Sequence, residues 1–291
     1  MKPAPFTYHA PRSVAEAIQA IGTLDDAKVL AGGQSLMPMM NMRFVSPAHV
    51  VDVNRIPELV HIGVANGRIE VGAMVRHAAL LADGTIRRHC PLMAEALAHV
   101  GHVQTRSRGT IGGSLCHLDP AAELPVVASA LDAVLTVQGP QGTREVPFAQ
   151  WPLAYMTPDL AQGELLTRIS LPVLAPRQGQ AFVEFARRHG DFAIACVAAV
   201  LTLDARSRIA QVTIAVGGVC ATVVRLAAAE ADLRGQAVSA DAFTAAARHA
   251  HALDSADDAY YSADYRRELT STLVARALGI AAARAAQDTP Q

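Results

Sequence analysis

The sequence feature that most constrains this chain is a pair of glycine doublets, each followed closely by a hydroxyl residue. Gly32-Gly33 precedes Ser35, and Gly112-Gly113 precedes Ser114. Glycine lets the backbone approach a ligand closely and adopt positive φ, so that successive N–H groups can point at one anion. A single doublet usually makes a tight turn. Two doublets of the same character favour a pair of loops that together could cradle a diphosphate without any lysine, but their spacing alone does not identify the ligand.

Other nucleotide-binding and nucleophile motifs are missing from the sequence. It contains neither the P-loop pattern G-x-x-x-x-G-K-[ST] nor the Rossmann pattern G-x-G-x-x-G. The run from Gly33 to Met37 begins like the nucleophile elbow G-x-S-x-G but ends in Met. The sequence therefore argues against a P-loop NTPase, a Rossmann dehydrogenase and an α/β-hydrolase.

Composition indicates a well-packed globular protein with almost no net charge. Apolar residues make up 51% of the 291 residues, charged residues make up 18%, and the formal net charge is −1. These values exclude intrinsic disorder and provide no basic field for nucleic acid or an anionic membrane. The N-terminus lacks a signal peptide and the uncharged stretches are too short for a membrane span, so we expect a cytoplasmic protein.

Four cysteines, Cys90, Cys116, Cys196 and Cys220, lie far apart in the sequence. Iron–sulfur clusters and structural zinc sites normally use clustered thiolates, so this spacing predicts neither in the chain. The segment 116–119 offers a Cys, a His and an Asp, but it lacks the separated ligand pairs of a zinc site. We therefore assign no metal-binding residue and no catalytic residue.

Hydrophobic patterning predicts an α+β chain of two domains. Helices and strands alternate up to the proline-punctuated segment 171–176, which predicts a domain boundary between residues 1–176 and 177–291. Closely spaced strands pair as antiparallel hairpins, and the order of three strands and then three helices is typical of an α+β domain. The expected strands are residues 182–187, 194–203 and 209–216, and the expected helices are residues 226–233, 240–252 and 265–286.

The segments around the glycine doublets resemble the flavin loops of a known family. Residues 29–36 (VLAGGQSL) and 110–114 (TIGGS) are similar to those loops in the medium subunits of the xanthine dehydrogenase and carbon monoxide dehydrogenase family, the molybdenum hydroxylases. Other segments that resemble the family are residues 106–109, 119–125, 190–194 and 262–267. The similarity therefore covers nearly the whole chain, in order.

The resemblance implies a fold and a set of cofactor-binding residues. The fold would be a two-lobed α/β FAD-binding domain of the vanillyl-alcohol-oxidase/PCMH type, followed by a C-terminal domain of a three-stranded antiparallel sheet and a three-helix bundle. Ser114 stands where many relatives carry Asn. The residues implied to bind FAD are Val29, Leu30, Ala31, Gly32, Gly33, Gln34, Ser35, Leu36, Gly109, Thr110, Ile111, Gly112, Gly113, Ser114, Glu123, Leu165, Leu166 and Phe192.

Within that set, the glycine segments would hold the diphosphate mainly through backbone N–H groups. Glu123 matches an acidic family position near the adenosine, where a carboxylate can accept hydrogen bonds from ribose hydroxyls. A carboxylate that merely begins a helix is the alternative for Glu123. Leu165 or Leu166 and Phe192 would lie near the flavin ring, with core packing as the alternative for Phe192.

The resemblance also implies a function and partners. The chain would be the electron-transfer subunit of a heterotrimeric molybdenum hydroxylase, assembled as a dimer of heterotrimers. A small subunit would hold two [2Fe–2S] clusters, and a large subunit would hold the molybdopterin cofactor and the substrate. This chain would need no general base.

Two other functions stay open on the sequence alone. One is a self-contained FAD-dependent oxidoreductase of the vanillyl-alcohol-oxidase superfamily, and the other is a binding module that has lost its cofactor. A flavin spectrum separates the second of these from the rest, and copurification of partner subunits separates the first from the hydroxylase subunit. The sequence leaves the substrate and the electron acceptor open.

Overall fold

A small parallel sheet forms the first lobe of the computed structural model, which describes residues 1–287. The elements of this lobe are β1 (Thr7–His9), α1 (Val14–Thr23), β2 (Ala27–Leu30), α2 (Leu36–Asn41) and β3 (His49–Asp52). The strand order is β1-β3-β2, with both pairs parallel. Ser13 caps α1, because its hydroxyl oxygen accepts the Glu16 N–H at 3.2 Å.

A five-stranded antiparallel sheet, in the order β4-β5-β10-β6-β7, forms the second lobe with six helices. Asn66 and Gly67 have φ of 52° and 70°, which fits a two-residue hairpin turn between β4 and β5. The elements are β4 (Ile62–Ala65), β5 (Arg68–Gly72), α3 (His77–Ala82), α4 (Gly84–His89), α5 (Pro91–His99), α6 (Val103–Arg108), α7 (Ile111–His117), α8 (Glu123–Ala130), β6 (Val134–Gly139), β7 (Gly142–Pro147), β8 (Pro152–Ala154), β9 (Thr157–Pro158) and β10 (Leu165–Pro172). Strands β8 and β9 pair with each other outside this sheet, and short 3₁₀ turns lie at Pro57–Leu59 and Phe148–Gln150.

The C-terminal part consists of an antiparallel sheet and a group of helices, as predicted. Its elements are β11 (Gln178–Ala186), β12 (Ala193–Leu203), β13 (Ile209–Gly217), β14 (Val224–Arg225), α9 (Ala227–Leu233), α10 (Ala240–Ala247) and α11 (Ala263–Ala286), with a 3₁₀ turn at Arg248–Ala252. The three predicted strands pair in sequence order, and the short β14 adds a fourth strand at the edge. The predicted C-terminal domain extends to residue 291, and its residues 288–291 lie outside the described residues.

Both faces of the C-terminal sheet are buried. Along β12, Ala198 and Val200 belong to the core shared with α5 and α8, whereas Ala199 and Leu201 belong to the core shared with α11. This alternation follows the two-residue period of a strand. It also explains the continuous apolar sequence of β12, since neither face meets water. The hydrophobic core of the second lobe thus continues across the predicted domain boundary.

No helix within residues 1–287 has the length and the apolar composition that crossing a bilayer requires.

Candidate functional site

The two glycine segments, residues 29–36 and 109–114, meet where the two lobes join. A Cβ atom built on Gly32 would lie 2.8 Å from the Gly109 Cα and even closer to the Arg108 carbonyl oxygen. A Cβ atom on Gly113 would lie 3.6 Å from the Ala31 Cβ. The backbones of the two segments therefore touch, and we call this contact the glycine seam.

The first glycine segment offers unused backbone donors at the seam. Gly33 has φ of +73°, the conformation that favours glycine, and its carbonyl accepts the Met37 N–H at 3.1 Å as α2 begins. The N–H groups of Gly33, Gln34 and Ser35 make no hydrogen bond to any residue that the structure describes. Three consecutive donors are thus available to an anion.

The second glycine segment is the first turn of helix α7, which corrects the expectation of a loop. Thr110 caps the helix, and its hydroxyl oxygen accepts the Gly113 N–H at 3.1 Å. The Ile111 and Gly112 N–H groups donate to the carbonyl oxygens of Val75 and Ala73, at 3.2 and 2.8 Å. Because these N–H groups already have acceptors, the segment contributes close packing and the hydroxyl groups of Thr110 and Ser114 to the seam, and few free N–H groups.

His77 lies buried beneath the second glycine segment. Its side chain is near Ser114, with 3.3 Å between Nε2 and the hydroxyl oxygen, while Nδ1 has no hydrogen-bond partner among the described residues. Burial lowers the pKa of His77 to about 4, so the imidazole is neutral at pH 7. The ring therefore orients the Ser114 hydroxyl without placing a buried charge under the seam.

Glu123 begins helix α8 and is only 7% exposed. Burial, together with the smaller effects of the nearby Glu184 and Asp119, raises the pKa of Glu123 to about 8. The carboxyl is thus mostly protonated at pH 7 and can donate as well as accept a hydrogen bond. A neutral carboxyl gains little from the helix dipole, so the helix start alone does not explain this residue.

Leu165 and Leu166 begin strand β10 and are both buried, with exposures of 6% and 2%. Leu165 belongs to the core of the first lobe, and Leu166 belongs to the core of the second lobe. These two neighbouring residues therefore pack into different lobes, so the start of β10 joins the lobes.

Phe192 is 68% exposed, which excludes the core-packing alternative. It follows Gly190, which has φ of +86° and packs against the ring of His102, since a Cβ there would lie 2.6 Å from the His102 Cε1. His102 immediately precedes α6, and Gly109 of the seam immediately follows it. Helix α6 thus connects the glycine seam with the loop between β11 and β12, residues 187–192, which we call the Phe192 loop.

Sequence reasoning missed Asn54, Arg76 and His77, the polar side chains that surround the seam. Asn54 follows β3, while Arg76 and His77 follow β5. No motif marks them, and the only signal is a pair of polar residues within the apolar run 71–81. In the described part of the chain, no three His, Cys, Asp or Glu side chains are grouped to hold a metal ion.

Comparison with known proteins identifies both parts of the chain. The family of the FAD binding domain in molybdopterin dehydrogenase matches residues 4–174. The family of the CO dehydrogenase flavoprotein C-terminal domain matches residues 180–281.

Relatives of full length give the same result. The chain is 42% identical over 287 residues to the 6-hydroxypseudooxynicotine dehydrogenase complex subunit alpha of Paenarthrobacter nicotinovorans, covering 98% of this chain and 97% of the relative. It superposes on carbon monoxide dehydrogenase from Hydrogenophaga pseudoflava with a TM-score of 0.95 and 39% identity, covering 98% and 99% of the two chains. Quinoline 2-oxidoreductase from Pseudomonas putida 86 gives a TM-score of 0.94 and 34% identity, covering 99% and 100%. The chain therefore belongs to the family of FAD-binding medium subunits of the molybdenum hydroxylases.

Proposed function

We propose that this subunit takes electrons from [2Fe–2S] clusters of a small partner subunit and passes them to an external acceptor. The observation that carries the proposal is the glycine seam, where the three free N–H groups of the first segment lie beside the closely packed second segment. Substrate oxidation belongs to a large subunit with the molybdopterin cofactor. The full-length similarity to a dehydrogenase complex subunit supports this division of labour.

The residues of the seam fit the diphosphate of FAD. Gly33, Gln34 and Ser35 donate their N–H groups, the Ser114 hydroxyl adds a further contact, and Gly113 keeps the space that a side chain would fill. Bound FAD supplies a redox centre that exchanges electrons singly with a cluster and in pairs with an acceptor. The chain itself binds and orients the cofactor.

The Phe192 loop is the best place for the flavin ring. An exposed aromatic side chain can stack on a planar ring system, and α6 separates this loop from the seam by six residues, or roughly 9 Å. FAD likewise separates its ring from its diphosphate by the ribityl chain. On this arrangement, the protonated Glu123 contacts the ribose of the adenosine, and the buried pair at 165 and 166 holds the lobes around the cofactor.

The remaining parts of the proposal concern organisation. We assign residues 1–176 to FAD binding and residues 177–291 to a C-terminal domain. The complex is a dimer of heterotrimers in the cytoplasm. The exposed aromatic side chains of Phe192 and Tyr260 belong to the surface near the ring that docks the iron–sulfur subunit.

The first experiment identifies the flavin. The chain is purified, loaded with FAD or FMN, freed of unbound flavin and then denatured with heat. We expect FAD in the supernatant at one equivalent per chain, because the seam is built for a diphosphate. Recovery of FMN alone, or of no flavin after reconstitution, contradicts the proposal.

The second experiment tests the electron path. The FAD-loaded chain is mixed with the reduced small subunit under anaerobic conditions, and flavin absorbance is followed. We expect bleaching that is absent without the small subunit. A chain that is reduced directly by an organic substrate, with no partner present, contradicts the proposal and supports the self-contained oxidoreductase.

A further inference from the structure

A chain of hydrogen bonds joins the two glycine segments from behind. Asn54 donates from Nδ2 to the Ala31 carbonyl oxygen at 2.8 Å. Arg76 donates from Nη1 to the Arg108 carbonyl oxygen at 2.5 Å and from Nη2 to the Asn54 Oδ1 at 2.5 Å. Asn54 belongs to the first lobe and Arg76 to the second. The side chains thus connect one carbonyl of each segment across the lobe junction.

The orientation of the Asn54 amide is fixed from the side of the first lobe. Its Nδ2 and its backbone N–H both donate to the Asp52 Oδ1, at 2.5 and 2.8 Å, and the Tyr8 hydroxyl donates to the Asp52 Oδ2 at 2.6 Å. Burial alone would raise the pKa of Asp52, but the hydrogen bonds from Tyr8 and Asn54 outweigh it and lower the pKa. Asp52 therefore stays ionised, and the Asn54 amide presents its oxygen to Arg76.

The segments joined in this way are also in direct backbone contact. The Arg108 and Gly109 backbone already occupies the place of a Gly32 side chain. A shift of the Arg108 carbonyl relative to Ala31 would therefore change the distance between the two glycine segments. Both terminal nitrogens of Arg76 already have protein acceptors, so its guanidinium is placed to hold the backbone.

We propose that Asn54 and Arg76 are positioning residues for the FAD diphosphate, setting the spacing of the glycine segments without contacting the cofactor. This inference rests on the proposed function, because it concerns the same site. It assigns a role to two residues that no motif marks.

The test compares FAD dissociation constants for the full-length apoprotein and its variants. Asn54→Leu and Arg76→Met each remove the connection while keeping much of the side-chain volume. Each should raise the Kd for FAD by about 10- to 100-fold, the range typical of outer-shell partners at a binding site. Arg208→Met is the matched control, because Arg208 also donates to a backbone carbonyl, that of Gly235 at 2.6 Å, but lies in the C-terminal part.

Three further measurements separate positioning from other roles. The double variant should bind FAD about as weakly as the weaker single variant, because both residues act through one connection. The melting temperature of each apoprotein, measured beside its Kd, separates a loss of fold stability from a loss of FAD affinity. Arg76→Lys, which cannot bridge two acceptors with a planar fork, should recover only part of the affinity.

Several results would overturn the inference while leaving the proposed function intact. They are variants that bind FAD like wild type, additive losses in the double variant, or full recovery in Arg76→Lys. A lower melting temperature of the apoprotein with an unchanged Kd would show a purely structural role. Failure of the proposed function has a different signature, because wild type itself would then not bind FAD.

Discussion

Gly113 needs to be glycine for reasons of space and not of backbone conformation. It lies in α7 without a positive φ, and a Cβ atom would lie 2.8 Å from the Thr110 hydroxyl oxygen. Gly113→Ala should therefore displace the Thr110 cap and narrow the seam. We expect the Kd for FAD to rise at least about tenfold, or about 1.4 kcal/mol of binding free energy, as measured by titration calorimetry.

Gly279→Ala is the control for this substitution. Gly279 also lies in a helix, α11, but a Cβ atom there meets no other atom within 4 Å. Alanine should stabilise the fold by about 0.5–1 kcal/mol, because it loses less conformational entropy on folding, and should leave FAD affinity unchanged. Wild-type affinity in Gly113→Ala would show that the seam does not hold the diphosphate.

Glu184 predicts a pH dependence of stability. Burial raises the pKa of Glu184 to about 7, and its Oε2 has no hydrogen-bond partner among the described residues. The folded state thus holds a proton that the unfolded chain releases near its ordinary pKa of 4.5. The contribution to stability is full below about pH 4.5 and is lost as the pH rises through about 7.

Glu184→Gln removes this titration because glutamine stays neutral. The unfolding free energy of the variant minus that of wild type should be about 1–2 kcal/mol larger at pH 8 than at pH 5, allowing for solvent screening. Urea unfolding at both pH values measures the difference. Glu145→Gln, an exposed glutamate on strand β7, should show no such change, and an equal response of both variants would rule out burial as the cause.

At the residue scale, the sequence predicted the glycines of the seam but not the side chains behind them. Gly33 and Gly113 were visible because a doublet followed by a hydroxyl is a local pattern. Asn54 and Arg76 are 22 residues apart in sequence and lie in different lobes, so no local sequence pattern connects them. The exposure of Phe192 was equally hidden, because the same side chain suits a core or a ligand.

At the element scale, hydrophobic period predicted the long elements, and tertiary contacts decided the short ones. The three main strands of the C-terminal sheet and the helices α9 and α11 follow from their periodic sequences. Strand β14 has two residues and therefore no period to read. Glycine disfavours the helix at α7, yet the Thr110 cap and the bonds to Ala73 and Val75 hold it.

The contact between α11 and the C-terminal sheet depends on Gly179 in β11. A Cβ atom there would lie 2.6 Å from the Ala285 N and closer still to the Ala281 carbonyl oxygen. Both clashes are with helix backbone, so Gly179→Ala must push α11 off the sheet. We expect a loss of at least about 2 kcal/mol of unfolding free energy by urea denaturation.

The control for this element is Gly63→Ala in strand β4. A Cβ atom on Gly63 meets nothing within 4 Å, so alanine should be neutral or stabilise slightly, since glycine weakens a strand. Similar losses in both variants would mean that strand propensity, and not the helix contact, sets the cost.

At the scale of the whole molecule, the sequence divides the chain into two parts, but one hydrophobic core joins them. The segment 171–176 separates the two family matches, yet Phe182, Cys196 and Ala198 lie in the same core as the helices of the second lobe. The Phe192 loop also packs on His102 before α6. The C-terminal sheet therefore supports the elements that carry the seam, which the sequence could not reveal because these contacts join residues 87 or 88 positions apart.

The final prediction concerns the partners: the isolated chain should oxidise no substrate, and activity should require two further chains. Two [2Fe–2S] clusters need eight ligands in clustered loops, whereas this sequence has four cysteines in all. Cys90 and Cys196 are buried in the cores, and burial raises the pKa of both thiols, so neither is a ready thiolate ligand. Under the proposed function, electrons therefore reach this subunit across an interface with a cluster-bearing partner. Coexpression with the genes for a small and a large subunit, followed by size-exclusion chromatography and metal analysis, should give one complex that contains iron, molybdenum and FAD. Hydroxylase activity should follow that complex and be absent from fractions of the single chain. A single chain that turns over an organic substrate with its own flavin would instead establish the self-contained oxidoreductase.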